Sequence, residues 1–177
     1  MSDPDKIVQL YSAEQVQRRL DDLARCLRAE YEWRDFVLIG VLNGGRTVTQ
    51  EIARRLGPKV VVDYVKASSY GNGTRPDGRV RVDLRTREPL AGRHVLLVDD
   101  IVDTGQTLAA LLTGLKAERL KSIRTLVLAN KPLHRVVHVP LDYVGFTVPN
   151  KFIVGCGMGR GEEFRDLPFL GFIETTK

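Results

Sequence analysis

The stretch from residue 94 to residue 108, HVLLVDDIVDTGQTL, constrains the fold more than any other part of the chain. Four aliphatic residues, 95–98, are followed at once by Asp99 and Asp100, and Asp103 comes three residues later. A short aliphatic run bounded by polar residues is typical of a strand buried on both faces of a parallel sheet. Because open α/β sheets bind ligands at the carboxyl ends of their strands, these acids are expected at a ligand site.

The residues that follow the acids suit a phosphate group. Thr104, Gly105 and Thr107 stand where the next helix is expected to begin. Free backbone N–H groups and the positive end of the helix dipole favour an anion at such a position. The neighbouring carboxylates can accept hydrogen bonds from hydroxyl groups. A phosphorylated sugar carries both kinds of group, so the stretch predicts a sugar-phosphate site.

Strand-like and helix-like patterns alternate along the chain, which predicts an α/β protein with a mostly parallel, twisted sheet flanked by helices. A first helix is expected over residues 13–29, because Ser12 and Gln15 have the spacing of a capping box. Its apolar stripe consists of Val16, Leu20, Leu23 and Leu27. Further strands are expected at residues 36–42, 60–65, 80–84, 123–129, 142–146 and 152–155. Without repeats or linker composition, residues 1–177 are predicted to form one domain.

Composition narrows the class of protein and of ligand. The chain has 27 Lys and Arg against 22 Asp and Glu, but the two signs are interspersed. This pattern favours a mixed-charge surface and a small anionic ligand over nucleic acid. Two cysteines make no disulfide framework, and no apolar run reaches membrane-spanning length, so a cytoplasmic protein is expected. Cys26 lies near the stripe of the first helix and is interpreted as a buried small apolar residue rather than a catalytic thiol.

Other polar segments follow predicted strands and leave alternatives open. Asn43, Gly44 and Gly45 indicate either a close backbone approach to a ligand or a tight strand-to-helix turn. Residues 66–78, KASSYGNGTRPDG, are long and polar and favour a lid. Lys131 could face either solvent or the ligand site.

The glycine run of residues 155–161 is not a dinucleotide motif, since Arg160 occupies the third glycine position. The three histidines lack metal-ligand spacing, so zinc is not expected.

Taken together, these segments resemble the type I phosphoribosyltransferases, and within them the hypoxanthine/guanine phosphoribosyltransferase family. The stretch VLLVDDIVDTGQTL resembles that superfamily's motif for phosphoribosyl diphosphate (PRPP). The family is further indicated by LNGG at 42–45, ASSYGNGT at 67–74, LANKP at 128–132, VGFTVPNKFIVG at 144–155 and EEFRDLP at 162–168. The resemblance implies a core over about residues 36–130 and a small hood formed by about residues 131–177 with the N-terminal segment. It also implies a dimer or tetramer.

The resemblance assigns the sugar half of the site to the 94–108 stretch. It implies that Asp99 and Asp100 hold the ribose hydroxyls with Mg²⁺ nearby, and that Asp103 is the acid/base group near purine N7. The 5′-phosphate is implied to lie on residues Asp103, Thr104, Gly105, Gln106 and Thr107.

Pyrophosphate is implied to bind a loop of Leu42, Asn43 and Gly44, whose strained peptide can be cis and frees N–H donors. Arg165 matches an arginine that reaches the pyrophosphate. Ser69 and Tyr70 are implied to lie on the closing lid.

The purine half is carried by three further residues. Lys131 is implied to donate to the 6-oxo group, Phe152 to stack on the base, and Ile153 to bind the purine edge through its backbone. The chain also departs from the family pattern at two positions. Gly159 stands where the family usually has an aspartate that helps bind metal beside the purine. Asn43 stands where many relatives have lysine.

The implied activity is purine salvage, in which the 5-phosphoribosyl group of PRPP passes to N9 of hypoxanthine and/or guanine. The products are IMP or GMP and pyrophosphate. One alternative is a regulator that senses PRPP and controls RNA or DNA binding, although the chain has no basic stripe or DNA-binding helix pair. Another is a phosphoribosyltransferase that prefers xanthine.

Overall fold

A six-stranded sheet forms the centre of the computed structural model, which describes residues 6–31, 35–69 and 80–174. The strand order is β4 (Val80–Asp83), β3 (Val61–Ser69), β2 (Phe36–Leu42), β5 (His94–Val102), β6 (Ser122–Asn130) and β7 (Tyr143–Thr147). All neighbouring strands are parallel except β4, which pairs antiparallel with β3. The predicted mostly parallel sheet is therefore confirmed.

Helices cover both faces of this sheet. Helices α1 (Ala13–Tyr31) and α2 (Gly45–Leu56) pack on one face, and α3 (Gln106–Lys116) packs on the other. Strand β5 shows why its aliphatic run does not alternate with polar residues: Leu96 contributes to the core beneath α1 and α2, whereas Val95 and Leu97 contribute to the core beneath α3. Successive side chains of a strand point to opposite faces, so a strand covered on both sides is apolar throughout.

Helix α1 begins with the predicted capping box. The Gln15 N–H donates to Ser12 Oγ at 3.2 Å, and the Ser12 N–H donates to Gln15 Oε1 at 2.8 Å. The prediction that Cys26 is buried is wrong, because its side chain is exposed. Cys26 precedes buried Leu27 by one residue, which turns it about 100° round the helix and away from the core.

A second, three-stranded sheet joins both ends of the described chain. It has the order β1 (Lys6–Tyr11), β9 (Leu170–Glu174) and β8 (Ile153–Val154), and both pairings are antiparallel. The sequence did not predict β1 or β9. Ile153 and Leu170 pack into the same core as α1 and α2, so the sheet lies against the helical face. These are segments that the resemblance places in a hood.

Two strands extend beyond their predicted ends. β5 continues through Asp99 and Asp100 to Val102, which pairs with Asn130, because β6 runs alongside for the same distance. The acids therefore lie within the strand rather than after it. β3 continues to Ser69, which pairs with Val80, so the first residues of the predicted lid are strand. Tyr70 and the rest of that segment lie outside the described residues, and the lid stays a prediction.

Within the described ranges no helix has the length and apolar character that a membrane crossing needs.

Candidate active site

Two adjoining cavities lie at the carboxyl ends of the central strands. The first, of about 290 Å³, opens towards the second sheet, and the second, of about 270 Å³, lies beside the start of α3. The cavities share four lining residues, Gly44, Asp100, Ile101 and Asp103. This arrangement suits two ligands that react with each other. Each ligand can occupy one cavity, and the two ligands can meet at the shared lining residues.

The acid pair lies near the end of β5, where Asp99 is buried and Asp100 is half-buried. Asp99 is 7% exposed, and burial together with repulsion from Asp100 raises the pKa of its carboxyl. Burial likewise raises the pKa of the Asp100 carboxyl. Each carboxylate accepts the next backbone N–H, Asp99 Oδ1 from Asp100 at 2.9 Å and Asp100 Oδ1 from Ile101 at 2.8 Å. Two adjacent acids held in this way favour a cationic ligand, which would offset both the burial and the repulsion.

The loop between β2 and α2 lies directly on this acid pair. A Cβ atom at Gly44 would lie 1.7 Å from Asp100 Oδ2, so only glycine permits this contact. The peptide bond between Leu42 and Asn43 is cis, in line with the resemblance. Gly44 is the N-cap of α2 and lines both cavities, and Asn43 lines the first. The loop therefore forms part of the cavity wall, and its role in binding pyrophosphate stays a prediction.

The predicted phosphate residues gather at the start of α3. Thr104, Gly105 and Thr107 line the second cavity, whereas Gln106, the first residue of α3, is not part of that lining. Gly105 has a φ of 86°, and a Cβ there would lie 2.3 Å from the Val137 carbonyl oxygen. Glycine is therefore required both for the backbone conformation and for the packing of the following segment.

Asp103 and Lys131 are brought together by the register of two parallel strands. The last pair between β5 and β6 is Val102 with Asn130, and the Lys131 N–H donates to the Val102 carbonyl at 3.0 Å. The next residue of each strand is then Asp103 or Lys131, and Lys131 Nζ donates to Asp103 Oδ2 at 2.9 Å. Lys131 is only 8% exposed, so it faces the site and not solvent.

His134 contacts the site residue Asp103, a contact that the sequence did not reveal. It ends a short 3₁₀ turn, Pro132–His134, and its Nδ1 lies 2.5 Å from Asp103 Oδ1. Burial alone would raise the pKa of the Asp103 carboxyl, but the hydrogen bonds from Lys131 and His134 lower it. Asp103 is therefore an anion at neutral pH. The only sequence signal was a histidine three residues after a lysine that itself could be assigned either way.

The residues predicted to hold a purine surround the first cavity. Phe152 is 51% exposed and Ile153 is buried at the start of β8, and both line this cavity with Lys131. A half-exposed aromatic ring beside a polar wall is a typical surface for stacking a planar ligand. Lys151 and Met158, which the sequence did not single out, also line the cavity.

Arg165 lines the first cavity, but its guanidinium also holds its own loop. Nη1 donates to the Gly157 carbonyl at 2.7 Å, and Nε donates to the Gly161 carbonyl. The Gly157 N–H in turn donates to the Arg165 carbonyl at 2.9 Å. The positive charge of Arg165 favours the charged form of the Asp100 carboxyl and so opposes the effect of burial on its pKa. The pyrophosphate role of Arg165 stays a prediction.

Gly159 occupies a position where the backbone leaves no room for a side chain. A Cβ atom there would lie 2.0 Å from the Glu163 carbonyl oxygen and 3.2 Å from the Arg165 backbone nitrogen. The backbone of this loop therefore excludes the aspartate that the family usually has at this position.

We expect Gly159→Asp to lower the free energy of unfolding by about 1–3 kcal/mol, because the new side chain must displace backbone atoms. Urea unfolding followed by circular dichroism measures this loss. Asn150→Asp is the control, since it adds the same charge at an exposed position without adding a side chain to the backbone. Equal stability of the two variants would contradict the steric argument.

Fold and site together are those of a type I phosphoribosyltransferase. A family model described as a phosphoribosyl transferase domain matches residues 7–159. The chain is 34% identical to the hypoxanthine-guanine phosphoribosyltransferase of Lactococcus lactis, over 96% of this chain and 93% of that protein. The chain belongs to the hypoxanthine-guanine phosphoribosyltransferase family, as its motifs predicted.

Two further comparisons describe the extent of the likeness. A solved hypoxanthine-guanine phosphoribosyltransferase from Bacillus anthracis superposes with a TM-score of 0.87 at 31% identity, over 97% of this chain and 100% of that chain. The bifunctional protein TilS/HprT of Listeria innocua is 38% identical over 93% of this chain. The chain spans only about a quarter of that relative, 26% of its length.

Proposed function

We propose that this protein transfers the 5-phosphoribosyl group of PRPP to N9 of hypoxanthine and/or guanine, giving IMP or GMP and pyrophosphate. The observation that carries the proposal is the pair of cavities joined at Asp100 and Asp103. One offers the start of α3 to a phosphate, and the other offers a lysine and an aromatic ring to a base. The shared wall would place the sugar carbon next to the purine nitrogen that attacks it.

The first cavity favours a purine with an oxo group at position 6. Lys131 Nζ has three N–H donors and no acceptor, so it can donate both to Asp103 and to an oxo group. The 6-amino group of adenine is a poor acceptor and would leave the N–H that Lys131 directs at the base without a partner. A site built to hydrogen-bond one group discriminates strongly against a ligand that lacks it.

The charge changes in the reaction match the charges of the site. The bond from C1 of the ribose to the pyrophosphate oxygen breaks, its electron pair leaves with pyrophosphate, and N9 forms the new bond to C1. The proton on N7 then passes to Asp103, whose low pKa keeps it available as the anion. Asp99 and Asp100 would orient the ribose hydroxyls, while the loop at Asn43 and Gly44 would receive the pyrophosphate.

The Asp99–Asp100 pair fits Mg²⁺. Carboxylate oxygens are the ligands this cation prefers, and burial penalises the two charges unless a cation accompanies them. Bound Mg²⁺ would supply charge neutralisation to the pyrophosphate leaving group. Gly159 provides no carboxylate, so Asp99 and Asp100 would be the protein's contribution to the metal site. A cytoplasmic location and assembly as a dimer or tetramer, without a nucleic-acid partner, also remain predictions.

A turnover assay tests the proposed function directly. The protein is incubated with PRPP, Mg²⁺ and one of hypoxanthine, guanine, xanthine or adenine, and nucleotide formation is followed by chromatography. We expect IMP and/or GMP and far slower use of adenine. The absence of turnover with every purine would overturn the proposal, and a preference for xanthine would replace its substrate. Reaction of adenine alone would contradict the role given to Lys131.

A further inference from the structure

Both oxygens of the Asp103 carboxylate are occupied, one on each side. Oδ2 accepts from Lys131 Nζ at 2.9 Å, and Oδ1 lies 2.5 Å from His134 Nδ1. The Asp103 main chain is held as well, because Arg135 Nε donates to its carbonyl oxygen at 3.0 Å. A five-residue segment after β6 therefore fixes both the position and the orientation of this carboxylate.

The two partners differ in their burial. The side chain of Lys131 is 9% exposed, that of Asp103 is 39% exposed and that of His134 is 51% exposed. The carboxylate thus lies between a buried lysine on the cavity side and a histidine in contact with solvent. In the proposed function Lys131 binds both Asp103 and the purine oxo group. His134 contacts Asp103 and has no role in binding the base.

We propose that His134 is a positioning residue for Asp103, which holds the carboxylate in place and makes its strength as a base depend on the protonation of the imidazole. This inference rests on the proposed function for its kinetic consequences. A neutral imidazole donates one hydrogen bond and keeps Asp103 ready to accept the N7 proton. A protonated imidazole pairs with the carboxylate as a full charge, and Asp103 then becomes a weaker base.

Asp103 and its contacts bring three charged side chains together near His134. Asp103 faces the imidazole from the connection between β5 and α3, and Lys131 lies beyond Asp103 at the end of β6. Arg135 follows in sequence, but its guanidinium is directed to the Asp103 carbonyl and to Asn130 Oδ1, the latter at 2.6 Å. Asp103 is therefore the charged group that contacts the imidazole directly and responds to its protonation.

The kinetic test compares His134→Ala and His134→Asn with the wild type across pH. At pH 8, His134→Ala should lower kcat about tenfold, since a hydrogen bond to a charged group typically contributes at least that factor. The KM for PRPP should not change. His134→Asn retains a side-chain N–H donor and should restore most of kcat. In both variants kcat should no longer fall at acid pH in the range where histidine side chains ionise.

His138→Ala is the matched control, because His138 is an exposed histidine of the same connection between β6 and β7. It should keep both the kcat and the pH profile of the wild type. The inference is overturned if His134→Ala keeps the wild-type pH profile, or if His134→Asn loses as much kcat as His134→Ala. It is also overturned if His134→Ala has the same effect in an Asp103→Asn background as in the wild type, because the histidine would then act independently of Asp103.

A second measurement requires no turnover. The Asp103 carboxyl is titrated by carbon NMR in the wild type, in His134→Ala and in His138→Ala. Loss of His134 removes one of the hydrogen bonds that lower the pKa of Asp103, so the midpoint should move to higher pH only in His134→Ala. An unchanged midpoint overturns the inference even if the enzyme is active. A raised midpoint in a protein without turnover would support the pairing and reject the proposed function.

Discussion

Asp103→Asn should lower kcat with hypoxanthine by about 10²- to 10⁴-fold, the usual contribution of a general acid or base. The affinity for PRPP should change little, because in the proposed mechanism Asp103 acts on N7 of the purine. The amide retains the shape of the side chain but cannot accept the N7 proton. Steady-state kinetics for both substrates and calorimetric titration with PRPP measure the two effects separately.

Asp22→Asn serves as the control for this prediction. Asp22 is an acid on α1 whose side chain is 49% exposed and pairs with Arg25, far in sequence from either cavity. Its replacement should leave both kcat and PRPP affinity unchanged. A loss of PRPP affinity in Asp103→Asn as large as the loss of kcat would show that Asp103 serves sugar binding instead.

Lys131→Met should change which base the protein uses. Methionine fills a similar volume without a donor, so kcat/KM for hypoxanthine should fall about 10²-fold, as expected for losing a hydrogen bond from a charged group. The kcat/KM for adenine should fall much less, because adenine has no oxo group to receive that bond. The kcat/KM for hypoxanthine divided by that for adenine, measured in one competition assay, should therefore decrease markedly.

The same substitution has a consequence for pH dependence. Lys131 lowers the pKa of Asp103, so its removal raises that pKa, and the carboxyl becomes protonated at a higher pH. The part of the kcat profile that reflects ionisation of the Asp103 carboxyl should accordingly move to higher pH. Lys116→Met, which alters an exposed lysine at the end of α3, should leave both the base ratio and the profile unchanged. Equal losses for hypoxanthine and adenine would indicate that Lys131 only supports Asp103.

The central sheet could be predicted because its signals are local. Strands β2, β5 and β6 each contain a run of at least four apolar residues with polar residues after it, and three acids follow the run in β5. Strands β1 and β9 were missed for the opposite reason. Each is short, and each pairs with a segment from the other end of the chain, so the pattern within either strand does not show its partner.

Individual site residues divide in the same way. Asp99, Asp100 and Asp103 follow from the motif alone, whereas Lys131 could be assigned to solvent or site until the register of β5 and β6 placed it beside Asp103. The contact of His134 depends on the path of the chain after Pro132, which no residue pattern specifies. Cys26 shows how sensitive a burial prediction from a helical pattern is. A residue one position from the buried stripe can be exposed, as Cys26 is.

The acids of β5 and the groups around the base belong to different parts of the architecture. Asp99 and Asp100 lie within a strand that is hydrogen-bonded into the six-stranded sheet, but Lys131 and Phe152 lie in connections that follow or precede strands. Insertions and substitutions are tolerated far better in such connections than in a central strand. A lineage could therefore acquire preference for a different base by remodelling these connections while its machinery for the activated sugar stays fixed.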